Sequence, residues 1–586
     1  MAPPLSRRQI LKVLSASGIV VPSLFSHALE AFAAETPSVT PEMVARAEWV
    51  SGMSLAAPER ELLARALGDQ MAAVAKLRSV VLDNGIPPAL HFSPLAPTVV
   101  STGRSRTSST RPTVSRADFA PRSDEDLAYA SVSTLSALLR ARKISSLELT
   151  KLCLKRLGEF DSVLSCVITM TEELALEQAR QADREMAAGR TRGPLHGIPW
   201  GAKDLLAVPG YRTTWGAGPF REQVRPEKAA VVEKLDAAGA VLVAKLAVGE
   251  LAWGDVWFGG MTRNPWKPAQ GSSGSSAGPA SAVAAGLVPF AIGTETWGSI
   301  VSPSTRCGVS GLRPSFGRVS RHGVMALAWS MDKVGPIARN ASDLASVFDA
   351  VRGADERDPS SRDAAFRWPL ARPLKQLRIG VVEELFDEDY AKWADEEEEI
   401  PGLKEWQQID REALKTLHAM GLRLEPLKLP SDLPVSALSI ILTAEAATAF
   451  DGMTRSGADA ELARQVRDAW PTVFRQGQML PAVEYVRANR IRLLLMREIE
   501  KALEGFDAWI APTFGGDVLL TTNLTGHPTV VVPNGFRPSD GTPTSLSFLG
   551  RLDGEATVLA LAEAFQQVTD FHTRRPPLKP AGTIEV

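Results

Sequence analysis

The sequence predicts an α/β protein, and three observations predict it. From Asp124 onward, short apolar runs with strand character alternate with amphipathic segments of helical period, the pattern of layered strands and helices. The stretch Gly271–Pro303, GSSGSSAGPASAVAAGLVPFAIGTETWGSIVSP, reads as a loop (271–278), an Ala-rich helix (279–286), an apolar strand (287–293) and a second tight loop (294–299). Such a unit brings its two loops together at one end of a sheet, so Ser275 and Ser299 become candidates to meet in space. The apolar run after the Gly/Ser loop separates this stretch from a flexible linker. Third, the 586 residues are 45% hydrophobic and 23% charged, which suits one large α/β domain with extensions, or a few smaller domains.

The chain opens differently. Ser6-Arg7-Arg8-Gln9-Ile10-Leu11-Lys12 sets paired arginines before a modest apolar run, and Ala31-Phe32-Ala33 offers a small-x-small cleavage site. Residues 1–33 look like a twin-arginine signal peptide, which implies export of the folded protein to the periplasm. Residues 34–84 read as a helical N-terminal extension. Pro41 opens it, Met71, Val74, Leu77 and Val81 recur at helical spacing, and Gly52 and Pro58 divide it in two. The segment 85–123, rich in Pro, Ser, Thr and Arg, cannot bury a core and reads as a linker or surface strap. The helical piece can pack on the main domain or mediate association, which leaves a homodimer open.

Residues 124–586 carry the continuous pattern. Ser133–Arg142 is a short amphipathic helix, and Ser145 with Glu148 makes a capping box for a helix running to about Phe160. Val163–Ile168 reads as a strand and Thr171–Ala188 as a long helix ended by Gly189. The run from Pro194 to Asp204, PLHGIPWGAKD, is an apolar strand that delivers one lysine, Lys203. Ala229–Ala238 is helical, and Ala240–Ala244 is a strand leading to Lys245. The acidic run Glu396–Glu399 reads as a solvated loop, and 380–480 carries no motif.

Several function classes are excluded on composition. A formal net charge of −2 with no concentrated basic face argues against a nucleic-acid partner. Seven dispersed histidines without an HExxH-like spacing argue against a metal, and no motif calls for a cofactor. Cys153, Cys166 and Cys307 are too few for a disulfide framework, although one bridge is open. No later stretch reaches the roughly 18 uninterrupted apolar residues of a membrane span. A P-loop lacks its Lys-Ser or Lys-Thr, and His196 lacks the GxSxG elbow of a Ser–His–Asp hydrolase.

The motifs, taken together and in order, resemble those of the amidase signature family of serine hydrolases. Gly197–Asp204 resembles its GIPxxxKD-like strand, and Ser273-Gly274-Ser275-Ser276-Ala277-Gly278 its GGSSGG-type loop. Gly293–Val301 resembles its GTDTGGSIR-type loop, and Asp332–Arg339 its D-x-VGP-x-AR segment. Ala511-Pro512-Thr513, Asn523–Pro533 and Gly550–Thr557 resemble the closing motifs. The resemblance covers Asp124–Pro577. It implies a large twisted mixed β-sheet flanked by helices and a Ser–Ser–Lys catalytic set. By motif position Ser299 is the nucleophile, Ser275, on an unusual cis peptide, relays the proton, and Lys203 is the general base. The backbone N–H groups of Thr296, Trp297, Gly298 and Ser299 fall in the oxyanion loop. Ser276 and Gly274 support the serine loop, and Ser272 and Ser273 are turn residues.

The chemistry is consistent with that assignment. A serine hydroxyl needs a base to become a nucleophile, and a lysine serves only when neutral. Burial depresses a lysine's pKa, and Ile198, Pro199, Trp200 and Ala202 supply apolar surroundings for Lys203. Asp204 would oppose that shift if it faced the same way, but successive strand side chains alternate, so it should not. Three positions depart from the family pattern. Trp297 stands where glycine is usual, which would strain a left-handed backbone or else narrow the acyl side of the pocket; Val301 replaces an arginine and Glu295 an aspartate. Glu295 then needs another partner, and Arg306 and Arg313 are candidates.

The expectation is an exported amidase acting on a small-molecule carboxamide through an acyl-enzyme. The alternatives are a non-catalytic amidase-like binding protein and an amidotransferase A-type subunit that feeds ammonia to charged tRNA. Walls of the substrate pocket are expected from loops and from 380–480.

Overall fold

The computed structural model describes residues 39–82, 89–90, 121–390 and 403–580. The expected signal peptide, most of the 85–123 linker and the acidic run at 396–399 lie outside the described residues. By internal contacts the chain forms two compact units: residues to Pro88 with Ser436–Ile491, and Ala89–Val435 with Arg492–Val586. Residues 436–491, which the sequence reading leaves within 124–586, thus group with the N-terminal helices. Hydrophobic pattern alone gives no sign of this exchange, since helices roughly 400 residues apart share one face only in space.

The smaller unit is helical. Thr40 caps Pro41–Ser51 by accepting from the Met43 N–H, Pro41 occupies the first turn, and Gly52 ends the helix in the left-handed region at φ 67°. A second helix, Ala57–Ser79, begins around Pro58. Against these lie Ile440–Ala449, Asp451–Ser456 and Trp470–Gln478. Trp470 and Phe450 stack on Phe474. Arg475 bridges Glu59 and Asp459 at 2.7 and 2.9 Å.

The larger unit is built on one mixed sheet. Its strands are β1 (Val167–Met170), β2 (Pro199–Lys203) and β3 (Val241–Leu246). Two short hairpins follow, β4 (Val256–Trp257) with β5 (Gly260–Met261) and β6 (Arg263–Asn264) with β7 (Lys267–Gly271). The sheet resumes with β8 (Phe290–Glu295), β9 (Ser310–Arg313), β10 (Lys333–Ala338), β11 (Arg378–Val381) and β12 (Arg423–Pro426). It ends with β13 (Ala508–Pro512), β14 (Thr529–Phe536) and β15 (Pro543–Gly550). The order is β1-β3-β2-β8-β10-β9-β14-β15-β13-β11-β12. Neighbours β3-β2-β8 and β13-β11-β12 are parallel, and the strands between them antiparallel.

Both faces of this sheet are covered, which explains why its strands read as continuous apolar runs. On β3, Leu242 joins the core cluster of Trp200, Ile292 and Phe348, whereas Val241 and Val243 join that of Leu157, Ala280 and Val283. The period of two assigns successive residues to opposite layers.

Two strand boundaries differ from expectation. The helix expected to end near Phe160 runs Ser146–Leu164, with its Ser145–Glu148 capping box formed. Leu157, Phe160 and Leu164 share one buried face, so Val163 and Leu164 finish a helix, and the strand starts only at Val167. The strand expected at 287–293 is shifted to Phe290–Glu295, where it pairs with both β2 and β10.

One buried carboxyl sets a testable pH dependence. Asp410, on the helix Leu403–Ala419, accepts from Asn534 Nδ2 at 2.7 Å and Tyr390 Oη at 2.9 Å. Burial pushes it up to about 7 against those two bonds. A raised carboxyl contributes stability that is full below its unfolded pKa, near 3.8, and is lost as pH rises through about 7. Asp410→Asn is therefore expected to flatten the fall in melting temperature between about pH 4 and 7. Thermal melts across that range check it, and an unchanged slope contradicts it.

Candidate active site

Lys203 is the last residue of β2 and is fully buried. Its place follows from strand alternation: Trp200 and Ala202 face one core layer, and Lys203 emerges on the opposite side. There Nζ contacts three oxygens: Ser275 Oγ at 2.8 Å, Thr294 Oγ1 at 2.8 Å and the Thr294 carbonyl at 3.3 Å. Burial pushes the amine well below the ordinary lysine value, and the charges of Asp332 and Glu295 only partly oppose this. Asp204 turns away. Its carboxylate meets Lys245 Nζ at 2.6 Å and accepts from Thr214 N and Oγ1 at 2.7 and 2.6 Å.

The serine loop precedes the helix Ala277–Ala284. The Gly274–Ser275 peptide is cis. Gly274 is required by close approach: a Cβ there would lie 1.8 Å from the Gly254 carbonyl oxygen. Ser276 joins the two loops. Its N–H donates to the Ser299 carbonyl at 3.0 Å, and its hydroxyl donates to the Thr294 carbonyl at 3.1 Å and accepts from the Thr294 N–H at 3.2 Å. Ser273, at φ 59°, donates its N–H to Asp255 at 2.9 Å, and Ser272 Oγ donates to the Ser273 carbonyl. These are turn roles.

Ser299 stands in the turn between β8 and the helix Val301–Cys307. Its carbonyl is tied to Ser276, but no hydrogen bond joins its hydroxyl to Ser275 among the described residues. The structure thus closes the Lys203–Ser275 contact and sets Ser299 beside it without closing the second. The left-handed residue in the turn is Gly298, at φ 87°, not Trp297, so tryptophan sits there without backbone strain. Its indole is 44% exposed. Among the described residues the N–H groups of Thr296, Trp297, Gly298 and Ser299 donate to no protein acceptor. The next two, on Ile300 and Val301, are both taken by Glu295 Oε2, at 2.8 and 3.0 Å.

Glu295 finds its charge partner in Arg313, at 2.9 Å, with Asn523 Nδ2 on the same oxygen at 2.8 Å. Arg306, the other candidate, is not in that pair. Burial alone would raise the carboxyl, but Arg313, Asn523 and the Val301 N–H outweigh it and hold Glu295 at about 2. Glu295→Gln keeps the shape and leaves the Arg313 guanidinium buried without its counter-ion, a loss of about 3–5 kcal/mol. Denaturant unfolding checks this. In the parent protein the same pair's contribution is present above about pH 4.5 and lost as pH falls through about 2.

The family model described as Amidase matches residues 148–519, more than half of the chain. The chain belongs to the amidase signature family. The A-type subunit of glutamyl-tRNA(Gln) amidotransferase from Chloroflexus aurantiacus is 35% identical over 498 residues, covering 77% of this chain and 99% of that protein. The same-named subunit of Methylococcus capsulatus is 36% identical over 488 residues, covering 75% and 97%. Among solved structures, the peptide amidase of Stenotrophomonas maltophilia aligns with a TM-score of 0.64 at 29% identity, covering 76% of this chain and 98% of that one. An amidase-type enzyme is the class this membership carries.

In this amidase signature chain the remaining sequence candidates lie elsewhere. His196 is buried against Glu185, 3.3 Å away, and accepts from the Arg192 N–H; it holds the turn before β2. Cys153, Cys166 and Cys307 are buried free thiols. No described helix is long and apolar enough to cross a membrane. Sequence reading missed Thr294, which supplies two of the three Lys203 contacts, Asn523, and Asp332 as a site residue. Asp332 is buried and accepts from Thr296 Oγ1 at 2.6 Å, and from the Leu327 and Ala328 N–H groups at 2.8 and 3.0 Å. The signal for Thr294 lay in sheet register: Ala202 pairs with Ile292, which sets residue 203 level with the end of β8.

Proposed function

We propose that this chain is an exported amidase that hydrolyses a carboxamide through an acyl-enzyme on Ser299, with Ser275 as proton relay and Lys203 as general base. The contact set of the Lys203 amine carries the reading. A neutral amine has two N–H groups and one lone pair. The two Thr294 oxygens account for the N–H groups, which directs the lone pair to the Ser275 hydroxyl. Ser275 then gives its proton to Lys203 and takes the one from Ser299 as the latter attacks the carbonyl. The Ser275–Ser299 contact closes when substrate is bound, as catalytic hydrogen bonds often do. The undonated N–H groups from Thr296 to Ser299 receive the oxyanion. The proton returns along the same path to the departing amine, and water, activated by the same relay, releases the acid. Export rests on the paired arginines of residues 1–33 and implies a periplasmic enzyme.

A second reading, an amidotransferase A-type subunit, is favoured by the names of the relatives. The purified chain alone distinguishes the two. An amidase releases ammonia and carboxylic acid from simple amides without a partner. Absence of any release by the lone chain, with release restored by a partner protein, would sink the amidase reading. Cell fractionation tests export: processed protein is expected in the periplasm, and cytoplasmic full-length protein alone contradicts it.

A further inference from the structure

Beside the site lies a cavity of about 480 Å³, in the range that holds drug-sized ligands. We propose that it is the acyl pocket, and that it takes an uncharged apolar acyl group, aryl or branched alkyl, and not one bearing a carboxylate or an ammonium. The inference rests on the amidase reading of Ser299.

Position is the first argument. The cavity is lined by Thr294, which holds Lys203, and by Thr296, which opens the turn to Ser299. Asp332 lines it as well and ties that turn to the wall. One carboxylate accepts from the Thr296 hydroxyl on one side and from the Leu327 and Ala328 N–H groups on the other. A group filling the cavity therefore sits against the segment that carries the nucleophile. The walls of this cavity come from residues within 321–334 and 357–360, with Leu205, Ala252, Thr294 and Thr296.

Chemistry is the second argument. Leu205, Val324, Met325, Leu327 and Val334 give the lining its apolar character. The arginine and aspartate side chains that reach the cavity are already matched within the protein. Arg321 donates to Asp358, Ser360 Oγ and the Trp329 carbonyl. Arg357 meets Glu233 at 2.6 Å and Asp355 at 2.9 Å. Lys333 donates to the Met331 carbonyl, and burial pushes its amine well below the ordinary lysine value. Asp358 is bonded by Arg321 and Ser360, and Asp332 by its three donors. A carboxylate or ammonium on the acyl group would meet side chains already engaged elsewhere, and its partial desolvation against this apolar lining is unfavourable.

Calorimetric titration of full-length Ser299→Ala protein, which binds without turnover, tests this with benzamide, L-glutamine and succinamate. Benzamide is expected to bind at least about 10-fold more tightly than either charged amide. In the same background Leu327→Trp is expected to weaken benzamide by about 10-fold. Met325→Ala, which only enlarges the wall, should shift preference toward 4-tert-butylbenzamide and keeps the test alive if the tryptophan variant does not fold. Tighter binding of glutamine or succinamate, no binding of benzamide, or wall variants without effect each overturn the proposal. Turnover by the parent protein is a separate readout. Binding without ammonia release sinks the amidase reading and leaves the pocket standing, whereas turnover that favours the charged amides does the reverse.

Discussion

Ser299→Ala is expected to lower amide hydrolysis by about 10⁴-fold or more while the protein still folds. On the proposed mechanism the loss is large because the oxygen removed is the one that forms the covalent bond. Folding survives because the turn is held by other atoms. The Ser299 carbonyl, which alanine keeps, accepts from Ser276, and Glu295 binds the N–H groups of Ile300 and Val301. Kinetics paired with a thermal melt checks both halves. Residual activity within about 10-fold of the parent would remove Ser299 as nucleophile.

Lys203→Met is expected to be nearly as damaging and to move stability in the opposite direction. The parent amine is fully buried, and desolvation holds its pKa well below the ordinary value of 10.5. As pH falls through that depressed value the amine protonates, its lone pair is lost, and activity falls with it. The acid limb of the kcat/KM profile set by this group should vanish in the variant. The stability sign follows from linkage. Between the depressed folded value and 10.5 the unfolded chain binds more protons, so the parent gains stability as pH rises through that window. Each unit of depression represents about 1.4 kcal/mol. The methionine variant carries no such penalty, although it leaves the two Thr294 oxygens without a donor. Its advantage over the parent should be greatest at and below the depressed folded value and shrink as pH rises toward 10.5. Melts from about pH 7 to 10 check this, and a constant difference between the two proteins contradicts it.

Much of this was legible in the chain because the informative signals were local. Alternating apolar segments pointed to the class, and the Ser145–Glu148 capping box marked one helix start directly. The spacing of Lys203, Ser275 and Ser299 in their motifs pointed to the loops that the sheet then brought together. Asp204 turned away from Lys203 as strand alternation requires. What escaped depended on register and on crossings between distant segments. Thr294 reaches Lys203 because β2 and β8 are parallel neighbours, and nothing within either strand encodes that pairing. The pairing of Glu295 with Arg313 could be narrowed to two arginines, but the choice waited on where β9 sits beside β10. Asp332 was visible as part of a motif, yet its three donors come from two separate loops. The end of the helix at Leu164 was missed because Val163 and Leu164 suit a strand as well as a helix, and only packing with Leu157 and Phe160 decides between them.

Reaction of the purified protein with a fluorophosphonate, followed by peptide mapping, bears most directly on the assignment of the nucleophile. The account predicts a single stoichiometric adduct on Ser299, absent from Ser299→Ala and strongly slowed by Lys203→Met. An adduct on Ser275 or another serine, or no adduct on folded protein, would contradict it.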